Sequence, residues 1–439
     1  MPTLAESLHA TLKNAVKAPY YRKSFGRRWK DVRTVDDLAN LPILDKRTAI
    51  AHQAELVVGE APPGYGVSSS GTTRADVDLP PLNVLTNTPE ELEAQGMGPD
   101  GAPRDEAIAD DPWPGWTLVS VAVTHGLPLG GPGHDEIFLP WMHDRNALYM
   151  LETVLSKPQG DGRRVTAARI SVGALKTFTA WLLERGKDPA AFGVKLIGTN
   201  SFRLSPFWRA LIEEKWGAMV FDNYSLSEFA TAATECKECG WLHFGWPPVI
   251  YEVLDLVTGK RVDKGAGRLL MTGVYPFVQK MPLIRYDTGD VIELGPRCRA
   301  TGARGVRLLG RTRRGLIVDD HGSGVYALAP CFIQDALEAR PETERNPHPL
   351  HTLGVLKTRD LGLPRFTVER EKGRALLRFE VRFDPHIYEA AALQIARDVR
   401  ADVLKHDKAL AVLVRKKRLV FECQAAASRS LAPPPDKYD

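Results

Sequence analysis

The sequence predicts an α/β protein with a large, multi-layer N-terminal part built on parallel strands, a small barrel-like subregion within it, and a small α+β part at the C-terminus. Apolar strand-like runs alternate with helical runs between residues 118 and 224, which is typical of parallel strands joined by helices. From residue 249 onward, strand-like runs are divided by glycine and aspartate turns. That second pattern indicates antiparallel strands.

The length favours two domains. The chain has 439 residues, whereas one domain typically takes roughly 100–200 residues. We predict a large domain of residues 1–311 and a small domain of residues 312–439. Hydrophobic residues at 44% and charged residues at 26% are ordinary for a globular protein.

Charge and hydropathy exclude several partners. Lys and Arg total 58 against 54 Asp and Glu, so a net charge of +4 gives no electrostatic reason to expect nucleic acid. No apolar run approaches the ~18 residues of a membrane span, and the first residues, MPTLAESLHATLKNAVK, lack a signal-peptide core. We expect a cytoplasmic protein with no membrane partner, whose five cysteines are thiols or metal ligands. A homodimer stays open.

The individual elements follow from periodicity. Leu4, Leu8, Leu12 and Val16 recur at a four-residue spacing and predict an opening helix. Further helices are predicted for the runs ALKTFTAWLLERG, WRALIEEKWG and EAAALQIARDVRADVLK. Strands are predicted in the runs LVSVAV, VKLIG, AMVFDNY, VIYEVLDLVTGKRV, GRLLMTGV, LLRFEVRFD and ALAVLV. Prolines, glycines and acidic residues crowd residues 79–115, which indicates an irregular surface segment.

A hydroxyl-rich loop, SSGTT at residues 69–73, is the first candidate for chemistry. Its backbone N–H groups and hydroxyls can curl around phosphate oxygens, because glycine lets the backbone approach closely. Polar turns often have the same composition. The loop alone therefore does not identify a phosphate site.

Three later segments follow the loop in order across about 240 residues: DNYSLSE at 222–228, IRYDTGD at 284–290 and LGR at 309–311. They resemble the D-x-Y-G-x-[ST]-E, R-Y-x-T-G-D and G-R motifs of adenylate-forming enzymes. The flanking segments are similar to the phenylacetate-CoA ligase and CapK-like branch of that superfamily: PYYR at 19–22, LPIL at 41–44, HGL at 125–127 with Gly130 and Gly131, and PLIRY at 282–286. The likeness covers residues 19 to about 330.

The resemblance implies ATP-dependent activation of a carboxylic acid as acyl-AMP with release of pyrophosphate, followed by transfer to an acceptor, most simply coenzyme A. Two alternatives remain: an amine, hydroxyl or protein thiol as acceptor, and a catalytically reduced nucleotide-binding homologue. The implied catalytic residues are Glu228, which would hold Mg²⁺, Thr72 and Arg311. The implied nucleotide-binding residues are Ser69, Ser70, Gly71, Thr73, Asn200, Ser201, Asp222, Asn223, Tyr224, Ser227, Asp290 and Arg311. The implied acid-binding residues are His125, Gly131, Gly173 and Gly198.

Each residue taken singly also has a structural interpretation. Glu228 is a carboxylate of the kind favoured at a helix start, Tyr224 suits a core aromatic, and Asp290 suits a turn. Only their order along the chain favours a nucleotide site.

The chain also departs from the family pattern. Arg74 follows the loop where a glycine is usual, Ser225 replaces a motif glycine, and basic residues follow Arg311 at the hinge. Relatives place a lysine in a short Arg-Ser-Gly-Lys segment of the small domain, where the best match here, SRSLAP, ends in Pro433. Either another residue takes that role, or adenylation proceeds without it, or the chemistry differs. Two half-reactions at one site would also require rotation of the small domain about residues 311–314.

A second candidate site is a set of metal-ligand residue types. Cys236 and Cys239 have the spacing of two thiolates on one tight turn, and His243 and Cys298 can complete a tetrahedron. Four protein ligands leave no open position, so we predict a structural zinc ion. The alternative is unliganded thiols with His243 packed on an aromatic surface.

Overall fold

A computed structural model describes residues 4–61, 65–68, 82–86, 115–120, 136–229, 232–245 and 248–431. The helices there are α1 Leu4–Ala15, α2 Pro19–Phe25, α3 Lys46–Ala51, α4 Arg145–Ser156, α5 Val172–Glu184, α6 Pro206–Trp216, α7 Pro330–Glu338, α8 Pro349–Thr352, α9 Glu389–His406 and α10 Lys408–Arg415. The strands are β1 Tyr65–Ser68, β2 Asn83–Thr86, β3 Trp116–Ser120, β4 Glu136–Phe138, β5 Val165–Ser171, β6 Leu196–Asn200, β7 Met219–Ser225, β8 Ala232–Glu235, β9 Leu242–Phe244, β10 Val249–Leu254, β11 Gly265–Gly273, β12 Tyr286–Arg297, β13 Arg304–Arg311, β14 Leu316–Asp319, β15 Gly324–Ala327, β16 Phe366–Glu371, β17 Arg374–Val381 and β18 Val420–Ala427.

One large mixed sheet organises the first part of the chain. Its strand order is β10-β11-β12-β13-β9-β8-β7-β6-β5-β3-β4 in the described residues. Strands β4, β3, β5, β6 and β7 run parallel, and the remaining neighbours pair antiparallel. The predicted α/β class is confirmed. The antiparallel subregion continues the parallel strands through β8 and β9.

The opening helix is confirmed, with Leu8 and Leu12 fully buried. The N-terminal segment packs against the antiparallel half of the sheet. The Tyr21 hydroxyl donates to the Pro282 carbonyl at 2.9 Å and accepts from the Ile284 N–H at 3.0 Å. Residues distant in sequence are thereby fixed beside the IRYDTGD motif.

The C-terminal part has its own core. Strand β17 pairs antiparallel with β16 and parallel with β18, and α9, α10 and α7 contribute buried side chains to it. The division at residue 312 stays a prediction, because the segment after α7 also enters the core of the large domain. Leu350, Leu356 and Leu361 lie in the cluster formed by α4, α5 and α6.

One predicted strand is wrong. The run ALAVLV, residues 409–414, lies in helix α10. The Asp407 carboxylate accepts the Leu410 N–H at 2.8 Å and caps that helix, and Leu410 and Leu413 are the buried positions. Their spacing of three is helical rather than alternating. The third strand of the small sheet is instead β18.

Helices long and apolar enough to cross a bilayer are absent from the described ranges.

Candidate active site

The carboxyl ends of the parallel strands form one edge of the large sheet. Strand β5 ends at Ser171 opposite Asn200 of β6, and Thr199 lies opposite Asp222 of β7. Ligands in open α/β sheets bind outside such an edge. Ser201, which follows β6, has a φ of 74°, a left-handed conformation that a non-glycine residue adopts only with local strain.

Asp222 and Asn223 link neighbouring strands through their side chains. The Thr199 hydroxyl donates to Asp222 Oδ1 at 2.8 Å. Asn223 Nδ2 donates to the Thr199 carbonyl at 3.2 Å, and Asn223 Oδ1 accepts from the Thr234 hydroxyl at 2.7 Å. These bonds hold the strand edge in register. Asp222 and Asn223 therefore have a structural role at this edge.

Burial raises the pKa of the half-buried Asp222 carboxyl from 3.8 to about 6, against the lowering effect of the Thr199 hydrogen bond. A raised folded-state pKa adds stability below pH 4, and that stability is lost as the pH rises through about 6. We expect Asp222→Asn to gain roughly 2–3 kcal/mol relative to wild type between pH 4 and pH 7, since Asn carries no charge. Urea unfolding of both proteins at several pH values measures this difference. Stability curves that run parallel would contradict it.

Tyr224, Asp290 and Arg311 form a hydrogen-bonded triad. Asp290 and Arg311 are paired across β12 and β13, and Arg311 Nε lies 2.9 Å from Asp290 Oδ1. The Tyr224 hydroxyl donates to Asp290 Oδ2 at 2.6 Å. Burial, then the Asp290 charge, raise the Tyr224 pKa well above 10.0, so the phenol stays protonated.

Gly289, the residue before Asp290 in β12, lies beside the Arg311 side chain. Gly289 has a φ of +76°, and a Cβ there would lie 3.4 Å from Arg311 Nη1. The same nitrogen donates to the Thr288 carbonyl at 3.0 Å. A side chain at residue 289 would therefore strain the backbone at this point of β12.

Glu228 forms a second polar group beside the triad. Its Oε1 accepts from the Tyr286 hydroxyl at 3.0 Å and lies 3.4 Å from Lys46 Nζ. Within the described part of the chain, Oε2 has no hydrogen-bond partner. Burial, then Glu228, raise the Tyr286 pKa and Arg311 lowers it, so the two polar groups share one electrostatic environment.

The structure brings together six predicted residues, Asp222, Asn223, Tyr224, Glu228, Asp290 and Arg311, in the two polar groups and the adjoining strand edge. Asn200 and Ser201 lie at the same strand edge, at the end of β6, where the Ser201 hydroxyl donates to Asn200 Oδ1 at 2.8 Å. Ser227 lies in the turn between β7 and Glu228. Gly173 lies at the start of α5, with open space where a Cβ would be. Gly198 packs tightly, since a Cβ there would meet the Phe221 ring at 2.8 Å, so its absent side chain has a structural reason. Residues 69–73, His125 and Gly131 lie outside the described residues.

Sequence reasoning missed Lys46 and the hydroxyl of Tyr286. Tyr286 lies within the IRYDTGD motif, but no site role was predicted for it. Lys46 follows the LPIL segment by two residues. Its contact with Glu228 spans 182 positions. Only the fold joins these two residues.

The four predicted metal ligands converge. Their donor atoms all lie within 4.8 Å of one another, with Cys236 Sγ to Cys298 Sγ at 3.8 Å and Cys239 Sγ to His243 Nε2 at 3.3 Å. A tetrahedral zinc with bonds of about 2.3 Å to sulfur and about 2.0 Å to nitrogen requires donor separations of about 3.5–3.8 Å. The donor set therefore fits zinc.

Two tight turns present the cysteines. The Gly240 N–H donates to the Cys236 carbonyl at 2.7 Å, and the Gly302 N–H donates to the Cys298 carbonyl at 2.8 Å. His243 Nδ1 lies 3.2 Å from the Thr301 hydroxyl, which leaves Nε2 for a metal. The cluster joins the β8–β9 turn to the β12–β13 turn.

No family model and no curated protein matches the sequence. Solved structures do match, and they show the fold: the chain has the fold of adenylate-forming enzymes. It is similar to 2-hydroxyisobutyryl-CoA ligase in the postadenylation state, with a TM-score of 0.66 and 16% identity over 100% of this chain and 90% of that one.

The same ligase in the thioesterification state, bound to 2-HIB-AMP and CoA, gives a TM-score of 0.54 at 17% identity over 99% and 89% of the two chains. An ATP-bound RpMatB-BxBclM chimera gives 0.50 at 15% identity over 85% of this chain and 65% of that one. At these identities the likeness concerns the fold.

Proposed function

We propose that this protein is an ATP-dependent acid ligase, which activates a carboxylic acid as acyl-AMP and transfers the acyl group to an acceptor, most simply coenzyme A. The observation that carries the proposal is the convergence of Glu228 with the Tyr224–Asp290–Arg311 triad beside the carboxyl edge of the sheet. Tyr224 and Asp290 of this group lie 66 positions apart in the sequence. Structures that share the fold carry the names of CoA ligases, which supports the same class.

The residues suit the charges of the reaction. Mg²⁺ prefers oxygen ligands and keeps several waters, so Glu228 would hold it through Oε2 together with the ATP phosphates. Tyr224 donates to Asp290 Oδ2, and Arg311 Nε lies beside Oδ1. Each carboxylate oxygen has two lone pairs and can accept more than one hydrogen bond. The carboxylate is thus oriented to accept ribose hydroxyls, with Tyr224 against the adenine. Residues 69–73 would bind the departing phosphates.

The acid would lie near Gly173 and the strand edge, with His125, Gly131 and Gly198. The motif similarities support the phenylacetate-CoA ligase-like branch, whose usual substrates are aryl or small aliphatic acids.

A second function, a nucleotide-binding homologue or a ligase with a non-CoA acceptor, is favoured by one observation. Two ion pairs join α7 to the segment that carries α5 and α6: Lys176 Nζ lies 3.1 Å from Glu338 Oε1 in a buried pair, and Arg203 Nη2 lies 2.6 Å from Asp335 Oδ2 in a half-buried pair. Such pairs oppose the rotation that a CoA-dependent half-reaction would need.

Pyrophosphate release across a panel of carboxylic acids, with ATP and Mg²⁺, tests the proposed function. We expect at least one acid to support turnover, and Glu228→Gln to lower it by roughly 10²-fold or more, because the metal loses its anionic ligand. Glu213→Gln changes a partly exposed glutamate of α6 and serves as the matched control. Stabilisation by ATP without pyrophosphate release from any acid would favour the nucleotide-binding homologue.

A further inference from the structure

We propose that Lys46 contacts the phosphates of ATP, and that its ammonium group passes from Glu228 to the phosphate oxygens when Mg²⁺ binds that carboxylate. This inference rests on the proposed function and adds to it a phosphate-contacting residue from the N-terminal segment. Neither the loop at 69–73 nor the three motifs contains this residue.

The fold holds Lys46 in place through its backbone neighbours. The Leu44 N–H donates to the Arg285 carbonyl at 3.1 Å, and the Asp287 N–H donates to the Leu44 carbonyl at 2.9 Å. Leu44 itself is fully buried. The chain at Lys46 therefore cannot shift without breaking the bridge to Tyr286, the residue that shares Glu228 with it.

The neighbouring carboxylate does not compete for the ammonium group. Asp45 caps α3, and its side chain accepts from the Thr48 N–H at 2.9 Å and from the Thr48 hydroxyl at 2.7 Å. Lys46 Nζ instead lies 3.4 Å from Glu228 Oε1. The Lys46 side chain is 19% exposed and the Glu228 side chain 7%, so the pair faces the site with little solvent screening.

Electrostatic forces favour movement of the Lys46 ammonium group from Glu228 to the phosphates. A divalent ion on Glu228 repels a lysine on the same carboxylate, and triphosphate adds anionic oxygens next to that ion. A lysine side chain is a flexible point charge that can follow the phosphates while its backbone stays fixed. Lys46 would leave Oε1 to Tyr286 and move to the phosphates.

The reaction needs a cation there. An oxygen of the substrate carboxylate forms a bond to the α-phosphorus, the bond from that phosphorus to the bridging β-oxygen breaks, and pyrophosphate leaves with the electron pair. Protons are neither gained nor lost in this step. Negative charge accumulates on the α-phosphoryl and leaving oxygens, and an ammonium group beside them lowers its energetic cost.

Lys46→Met, Lys46→Arg and Lys187→Met separate this role from a purely structural ion pair. Lys187 also pairs with a glutamate, Glu152, which is nearly buried, and it is the matched control. Two readouts are needed: thermal shift on titration with ATP and Mg²⁺ without any acid, and pyrophosphate release with an acid that supports turnover.

We expect Lys46→Met to weaken ATP binding and to lower pyrophosphate release by about 10²-fold, Lys46→Arg to recover part of both, and Lys187→Met to match wild type. If Lys46→Met loses only thermal stability and keeps wild-type ATP affinity and turnover, the inference is overturned while the proposed function stands. If wild type neither binds ATP nor releases pyrophosphate, both fail.

Discussion

Replacing Lys176 with methionine is expected to lower the free energy of unfolding by about 3–5 kcal/mol, because it leaves the Glu338 carboxylate buried without its cation. Both side chains are almost fully buried, with 5% and 1% exposed. Lys176 Nζ also lies 4.6 Å from the centre of the Trp208 ring. Burial alone would raise the pKa of Glu338. The Lys176 charge and a hydrogen bond from Ser205 outweigh burial, and the pKa lies below its ordinary value of 4.5.

The double variant Lys176→Met with Glu338→Gln is the control. It removes both charges while keeping an acceptor for Gln334 Nε2, which donates to Glu338 Oε1 at 3.3 Å. We expect it to regain most of the lost stability, because two neutral groups leave no unpaired charge. Equilibrium denaturation of the three proteins measures both steps. A single variant that unfolds at the wild-type denaturant concentration would rule out the ion pair as a stabilising contact.

The same contacts bear on motion about residues 311–314. Besides the two ion pairs of α7, the Glu184 carboxylate at the end of α5 accepts the Lys357 and Thr358 N–H groups at 2.8–3.0 Å. The segment around them buries Leu350, Leu356 and Leu361 in the cluster formed by α4, α5 and α6. Rotation of the C-terminal sheet as a rigid lid would expose this apolar surface and separate these charges. Such a rotation therefore requires substrates that offset the cost.

Removing zinc from the Cys236, Cys239, His243 and Cys298 cluster is expected to cost several kcal/mol of stability, since structural zinc binding contributes directly to folding free energy. Elemental analysis of purified protein should find one zinc per chain. Cys298→Ser should retain much less metal and unfold at a lower temperature, because serine is a poor ligand for this ion.

Cys423→Ser is the control for that measurement. Cys423 is a half-buried free thiol in β18, outside the cluster, and its substitution should leave the zinc content unchanged. A strong chelator should lower the melting temperature of wild type to that of Cys298→Ser. Well under one equivalent of zinc in wild type would disprove the metal site.

The candidate metal ligands illustrate what spacing alone determines. Cys236, Cys239 and His243 are close in sequence, and one turn brings them together whatever the rest of the chain does. The α/β alternation is equally local, because the period of apolar residues selects helix or strand segment by segment. The wrong strand prediction for ALAVLV also follows from a local pattern. Six consecutive apolar residues fit the period of a helix and that of a strand equally well, and the cap at Asp407 favours the helix.

The sequence alone determined the fold class, the order of the motifs and the three neighbouring candidate metal ligands Cys236, Cys239 and His243, because each depends on residue type and short-range spacing. Only the tertiary structure decided that Tyr224 is bound to Asp290, that Lys46 faces Glu228, and that Lys176 of α5 pairs with Glu338 of α7. These contacts join residues from 66 to 182 positions apart. Their geometry follows from sheet register and packing, which no local pattern encodes.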